Sequence, residues 1–381
     1  MDGNKKQLTT WEAACIITGY GLGAGVLSMP YMAQRCGLPV AFLVLVLSLF
    51  ASYALHMMIA DLALKCGESA QLISCLSRYL WRGKAKKPLT ILFFVLMSGI
   101  LFTNLAAYIT GSADVIVGFF PGVPPLAAKL IFYALAAAVV LFGLKAVGVS
   151  ESVAVTSIFA LIAVLAGASF LHVRNPLPLS PGTPAEALAF FGLSMFAMSA
   201  FFSVPQAVEG LGGDVRKLRK AVFIGIFNNF ILIVIITVCS LLASTEVTEV
   251  AMVGWSAGIG DWARVIGSVF TVLAMLTTYW SLSLALGGIV NDMMPLGDRG
   301  SWLFATAPSL LIALLGGADF LELMRTAGGL IAIMISVMVV PAYRNARNEE
   351  GSTLLPRGGT GLQIAVIAAY LLMAVGSVIP V

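Results

Sequence analysis

Apolar runs of about 20 residues, parted by short charged or Gly/Pro-rich breaks, follow one another along nearly the whole chain. Each is long enough to cross a bilayer as a helix. Eleven helices are predicted, over Thr10–Cys36, Leu38–Leu64, Leu89–Phe119, Pro125–Leu144, Gly148–Leu171, Pro184–Gly212, Leu218–Ala243, Asp261–Met294, Trp302–Leu315, Phe320–Tyr343 and Leu362–Ile379. The ninth is short and interrupted by Pro308. Inside the first run, Gly19-Tyr-Gly-Leu-Gly-Ala-Gly25 sets four glycines into seven residues, and Ser28-Met-Pro30 follows. Glycines at about 1 kcal/mol each, followed by a proline, predict a break in the helix. Unpaired N–H and C=O groups survive at membrane depth only where they line a cavity or hold a ligand.

The pattern also divides the chain. Residues 1–9 precede the first helix. Helices one to five fill 10–171 and helices six to ten fill 184–343, blocks of 162 and 160 residues by subtraction. A loop, 344–361, and an eleventh helix, 362–379, complete the chain. Five helices per block reverse the entry side of the second block, as in inverted-topology repeats. The sixth helix is interrupted at the corresponding place, in Met198-Ser-Ala-Phe-Phe-Ser-Val-Pro205-Gln-Ala-Val-Glu209. Paired interruptions in two halves point to a central binding site.

Composition agrees with a polytopic membrane protein, since 60% of residues are hydrophobic and only 10% are charged. Seventeen of the 22 lysines and arginines fall on one side if the N-terminus is cytoplasmic, which places the C-terminus outside, as expected in a plasma or inner membrane. The net charge of +4 sits in connecting segments and gives no reason to expect a nucleic acid. The expected partners are a small molecule and the lipid bilayer, with the chain a monomer or a loose dimer. Five scattered cysteines, Cys66 and Cys75 among them, form no metal-ligand pattern, and no cofactor is expected.

A broken helix offers the positive end of one half and the carbonyls of the other. An amino-acid zwitterion fits that pair. Its carboxylate would take N–H groups around Gly23, Ala24 and Gly25, and its ammonium would meet carbonyls near Tyr20, Gly21, Met198 and Ser199. A small carboxylate or an ion could use the same groups.

Gly23-Ala-Gly-Val-Leu-Ser-Met-Pro-Tyr31 resembles the first-helix signature of the amino acid/auxin permeases and the hydroxy/aromatic amino acid permeases, within the amino acid-polyamine-organocation superfamily. Leu105-Ala-Ala-Tyr108-Ile-Thr-Gly-Ser is similar to the third helix of the aromatic permeases, Leu276 to Asp292 to their eighth, and Val204 to Lys217 to the end of helix six across the superfamily. The resemblance implies the leucine-transporter-type fold of five plus five inverted helices with secondary amino-acid transport, here with one extra helix. Side-chain selectivity would then come from Tyr108, Phe201, Trp280 and Asn104.

Two coupling ions stay open. Sodium would need hydroxyls and carbonyls, and the resemblance places Thr277 and Thr278 opposite Gly19 to Leu22. Some relatives carry a helix-five lysine in sodium's place; the corresponding residue here is Ala163. A proton would need a carboxylate at depth. Asp61, Asp114, Glu151, Asp292, Asp319 and Glu322 read as helix-end residues, which leaves Glu209 as the deepest carrier. His56 reads as packing. Arg35 with Asp319 and Glu322 on the outside, and Trp11, Lys5 and Lys6 with Asp292 on the inside, are candidate gates, each a weak latch.

Other classes fit less well. Gly258-Ile-Gly-Asp261 spells an intramembrane-protease string, but a two-carboxylate mechanism needs a second Asp at depth. Gly19 to Ala24 fits a loose dinucleotide fingerprint without the strand that must precede it. No enzyme activity is expected. A channel, or a sensor that binds without transporting, remains the alternative.

Overall fold

The computed structural model describes residues 7–67, 70–120, 122–294, 296–316, 320–351 and 353–379, with backbone only for Ala24, 320–333 and Ser336. Its helices are α1 (Thr10–Gly21), α2 (Ala24–Leu27), α3 (Met29–Cys36), α4 (Leu38–Cys66), α5 (Leu72–Leu80), α6 (Lys86–Phe119), α7 (Pro125–Leu141) and α8 (Gly143–Leu171). The second part of the chain gives α9 (Pro184–Ala197), α10 (Ser203–Gly210), α11 (Val215–Ala243), α12 (Ala251–Ile259), α13 (Asp261–Met293), α14 (Gly297–Leu315), α15 (Phe320–Glu350) and α16 (Thr360–Ser377). Among the described residues there is no strand. Among the described residues, six spans are long and apolar enough to cross a membrane, those containing α4, α6, α8, α11, α13 and α16. Outward apolar side chains such as Phe50 on α4, 65% exposed, suit a lipid surroundings.

The first predicted run is therefore three helical pieces and the sixth is two. Short helices α5 and α12 occupy segments read as connections, because each is too short to register as a span. The ninth run is one helix of 19 residues that carries Pro308 inside it, and α15 continues through Glu350 into the stretch expected to be loop.

Side-chain chemistry fixes where the broken helices begin. Thr9 caps α1, with Glu12 N–H donating to its Oγ1 (3.2 Å) and Thr9 N–H donating to Glu12 Oε2 (2.7 Å). Thr183 and Glu186 repeat the same reciprocal cap on α9, at 3.2 and 2.7 Å. Asp214 caps α11, and the N–H groups of Lys217 and Arg216 hold its carboxyl below the usual range. Lys145 at the start of α8 pairs with Glu12 at 2.6 Å, which ties α8 to the foot of α1. Helix α1 packs against α8, α10, α11 and α13, and α13 is the most enclosed of the long spans.

Candidate substrate site at two helix breaks

Helix α1 stops at Gly21, the Leu22 N–H still reaches Thr18 O (3.1 Å), and Gly23 is extended before α2 begins. Helix α9 stops at Ala197, and residues 198–202 separate it from α10. The two interruptions adjoin. A Cβ built on Gly25 would stand 3.1 Å from Ala197 Cα, and one on Gly21 would stand 3.3 Å from Ala197 O.

Close approach explains the glycines better than backbone freedom does. A Cβ on Gly23 would lie 2.6 Å from the Tyr108 hydroxyl, and one on Gly19 would overlap the Glu151 carboxylate. Tyr108, on α6, also bonds the Thr278 side chain, so the family-matched tyrosine does meet the first break. Asn229 on α11 lies against Gly21, fully buried, with neither side-chain amide atom hydrogen-bonded. Nothing local in the sequence marks Asn229, because its partner is remote in the chain.

The second break is braced from α4. Ser52 Oγ donates to Met198 O (2.8 Å), and the Ala200 N–H donates to His56 Nε2 (2.8 Å). His56 Nδ1 donates to Ser52 O (2.7 Å), which fixes the neutral tautomer. His56 is thus more than packing. It satisfies a backbone donor that the interrupted helix leaves unpaired. His56→Leu is expected to lower the melting temperature in detergent by the equivalent of about 1–3 kcal/mol, the cost of a buried orphan N–H.

Ser199 Oγ donates back to Met195 O (2.9 Å). The Phe201 ring stacks on His56 (5.2 Å between centroids) and tilts against Tyr370 (6.1 Å), so its ring is engaged by α4 and α16. Trp280 and Asn104 are buried in their helices, and Trp280 Nε1 and Asn104 Oδ1 have no hydrogen-bond partner. Tyr20 is partly buried, Leu22 is fully buried, and Ala24 opens α2. Thr278 Oγ1 donates to Gly19 O (2.9 Å), as the pairing of helix eight with the first break requires, whereas Thr277 Oγ1 donates to Ala274 O (2.9 Å) within its own helix.

The carboxylate at depth is Glu151. It is 0% exposed, against the expectation of a helix-end residue, because α8 begins at Gly143 and sets Glu151 two turns inside. Glu209 is only partly buried and lines a cavity of about 600 Å³ that also borders Gln7, Gln206, Asp292 and Trp302. Ala163 is exposed, so the α8 residue that reaches α1 lies three turns earlier.

Of the candidate gate residues, Arg35, Asp292 and Trp11 are described with their side chains. Arg35 donates to Tyr31 on its own helix (2.5 Å) and covers that ring at 4.6 Å. Asp319, Lys5, Lys6 and the Glu322 side chain lie outside the described residues. Asp292 accepts from the Gln71 N–H (3.3 Å), and Trp11 is 42% exposed. Asp261 is exposed and pairs with Arg264 at 3.5 Å, which removes it from any catalytic pair at membrane depth.

Two interrupted helices meeting among buried polar side chains, in a chain whose described residues hold several apolar membrane-length helices, are an arrangement that transporters use. The chain belongs to the tryptophan/tyrosine permease family, whose match spans residues 6–376. It is 24% identical over 364 residues to glutamine transporter 2 of Aliivibrio fischeri (strain ATCC 700601 / ES114), across 89% of this chain and 90% of that one. Its fold matches that of Mhp1, a nucleobase-cation-symport-1 family transporter solved in a closed conformation with bromovinylhydantoin bound, at a TM-score of 0.68 and 11% identity over 97% and 92% of the two chains. These relatives are transporters, and the chain is not an enzyme.

Proposed function

We infer that the protein is a secondary active transporter that carries a neutral amino acid by alternating access, with the substrate held between the two breaks. The observation that carries this reading is Ala197, which touches both Gly21 and Gly25 and so joins the two interruptions into one place. N–H groups at Gly23 to Gly25 take the substrate carboxylate. Carbonyls at Tyr20, Gly21 and Ser199 face its ammonium, and the Met198 carbonyl shares that work with its bond to Ser52. Tyr108 and Asn229 face the side chain. The family's aromatic substrates and the relative's glutamine are the first ligands to try.

The fold reading includes eleven spans with helices one to five and six to ten as inverted repeats. Support comes from the matching caps Thr9/Glu12 and Thr183/Glu186, and from the last pieces α3 and α10, each of 8 residues. The positive-inside bias puts the N-terminus in the cytoplasm and the C-terminus outside, so the cavity beside Gln7 opens inward.

Reconstituted protein is expected to take up labelled tryptophan, tyrosine or glutamine saturably, with uptake competed by unlabelled substrate. Large ohmic currents would instead make it a channel, and binding without uptake would make it a sensor. Thr278→Val is expected to slow uptake about tenfold or more, since it strips the hydroxyl from Gly19 O at a buried site where one hydrogen bond is worth about 1–3 kcal/mol.

A further inference from the structure

Glu151 is a charge-bearing group in the wrong surroundings for a purely structural role. Its Oε1 accepts a hydrogen bond from Ser281 Oγ (2.6 Å), and the same hydroxyl lies 3.2 Å from Ile16 O on α1. Its Oε2 is fully buried, has no hydrogen-bond partner, and lies directly against Gly19 at the first break. Among the described residues no cation pairs with it.

The neighbouring elements supply none. From α1 come Cys15 and, lower down, Glu12, which Lys145 already occupies. Helix α13 offers the neutral Thr277 and Ser281, and α11 offers Asn228 and Asn229 to α1. On α7, Lys129 and Tyr133 bond to Ala313 O and Thr306 on the α14 side. Helix α12 has no titratable side chain, and the one on α10 is Glu209, at the cavity.

A carboxylate without a counter-charge at membrane depth is costly, and a bound cation removes the cost. We propose that Glu151 is the coupling site of this transporter, binding one small monovalent cation, a proton or a sodium ion, between α8, α13 and the broken α1. The cation joins Oε2 without bond exchange elsewhere and leaves to water on the other side. With Glu151 neutralised, α1 stays packed on α8. With Glu151 charged, the contact at Gly19 is opposed, so cation occupancy and the shape of the substrate site move together.

Hydrogen-bonded residues lead from the cavity side toward Glu151. Gln206 lines the cavity and donates through Nε2 to Ser281 O (2.8 Å), the residue whose hydroxyl holds Glu151. Two residues, Gln206 and Ser281, therefore stand between the cavity and the carboxylate.

The inference rests on the amino-acid reading above, and one experiment separates the two. In proteoliposomes, Glu151→Gln, a neutral isostere, is expected to keep counterflow exchange of labelled substrate while losing accumulation under both an inward pH gradient and an inward sodium gradient. Wild-type accumulation with the pH gradient alone identifies a proton, and a strict sodium requirement identifies sodium. Accumulation retained by Glu151→Gln under the gradient that drives wild type would overturn the proposal. Wild type that exchanges no amino acid would overturn the substrate reading, and an infrared band of a buried carboxyl that responds to pH or sodium in wild type and is missing in Glu151→Gln would still support the cation site; its absence would overturn it. Should Glu151→Gln fail to fold, Glu151→Asp draws the carboxylate off Ser281 and is expected to shift the pH or sodium dependence of uptake by about tenfold. An unmoved dependence would count against the site.

Discussion

Asn229→Leu is expected to raise thermal stability and yet cripple transport, two effects of opposite sign from one change. The amide is fully buried between the breaks and neither of its polar atoms is hydrogen-bonded within the protein. Burying such a group costs about 1–3 kcal/mol, and a leucine of similar shape removes that cost. If the amide is kept for the substrate, the same substitution loses its hydrogen bonds to ligand. Half-saturation should rise about tenfold to a hundredfold, and the ligand-induced thermal shift should shrink in step. Thermal-shift titrations and uptake kinetics on the same preparation check both signs. A variant that is less stable and transports normally would make Asn229 a packing residue.

Gly19→Ala is expected to be damaging at the first break. The added methyl occupies the volume of the Glu151 carboxylate and crowds Thr277. Overpacking of that kind costs about 1–3 kcal/mol, and here the strain falls on the contact between α1, α8 and α13. Transport is expected to drop by about tenfold to a hundredfold or more, with the protein still inserted. Gly19→Ala combined with Glu151→Ala relieves the overlap, so recovery of the melting temperature without recovery of accumulation is the expected pattern. Full activity in Gly19→Ala would remove the contact from consideration.

The helical spans were legible because a bilayer demands long apolar runs, and the breaks were legible because four glycines in seven residues weaken a helix and Pro205 suits the first turn of a new one, although Pro308 lies inside an unbroken α14. Tyr108 was reachable through a family segment. Glu151 and Asn229 were not, since depth in the membrane depends on where a helix begins, and α8 starts at Gly143, five residues before the predicted edge. The reciprocal caps were readable in principle: Thr9-Thr-Trp-Glu12 and Thr183-Pro-Ala-Glu186 have the spacing that marks a helix start. The gate pairings are a different matter, since Asp319, Lys5, Lys6 and the Glu322 side chain lie outside the described residues. Charge placement at membrane edges fixes which side a residue faces, while its partner is set by side-chain reach, and Arg35 finds Tyr31 one turn away.

The α4 brace bears on how substrate range can change over generations. Residues 198–202 keep their shape through Ser52 and His56, which contact backbone and the Phe201 ring. If the proposed substrate site holds, selection for a new nutrient can act on α4, reshaping the second break from behind while the residues at the breaks stay as they are. Suppressor mutants gathered under such selection should cluster around positions 52 and 56 as well as at the breaks themselves.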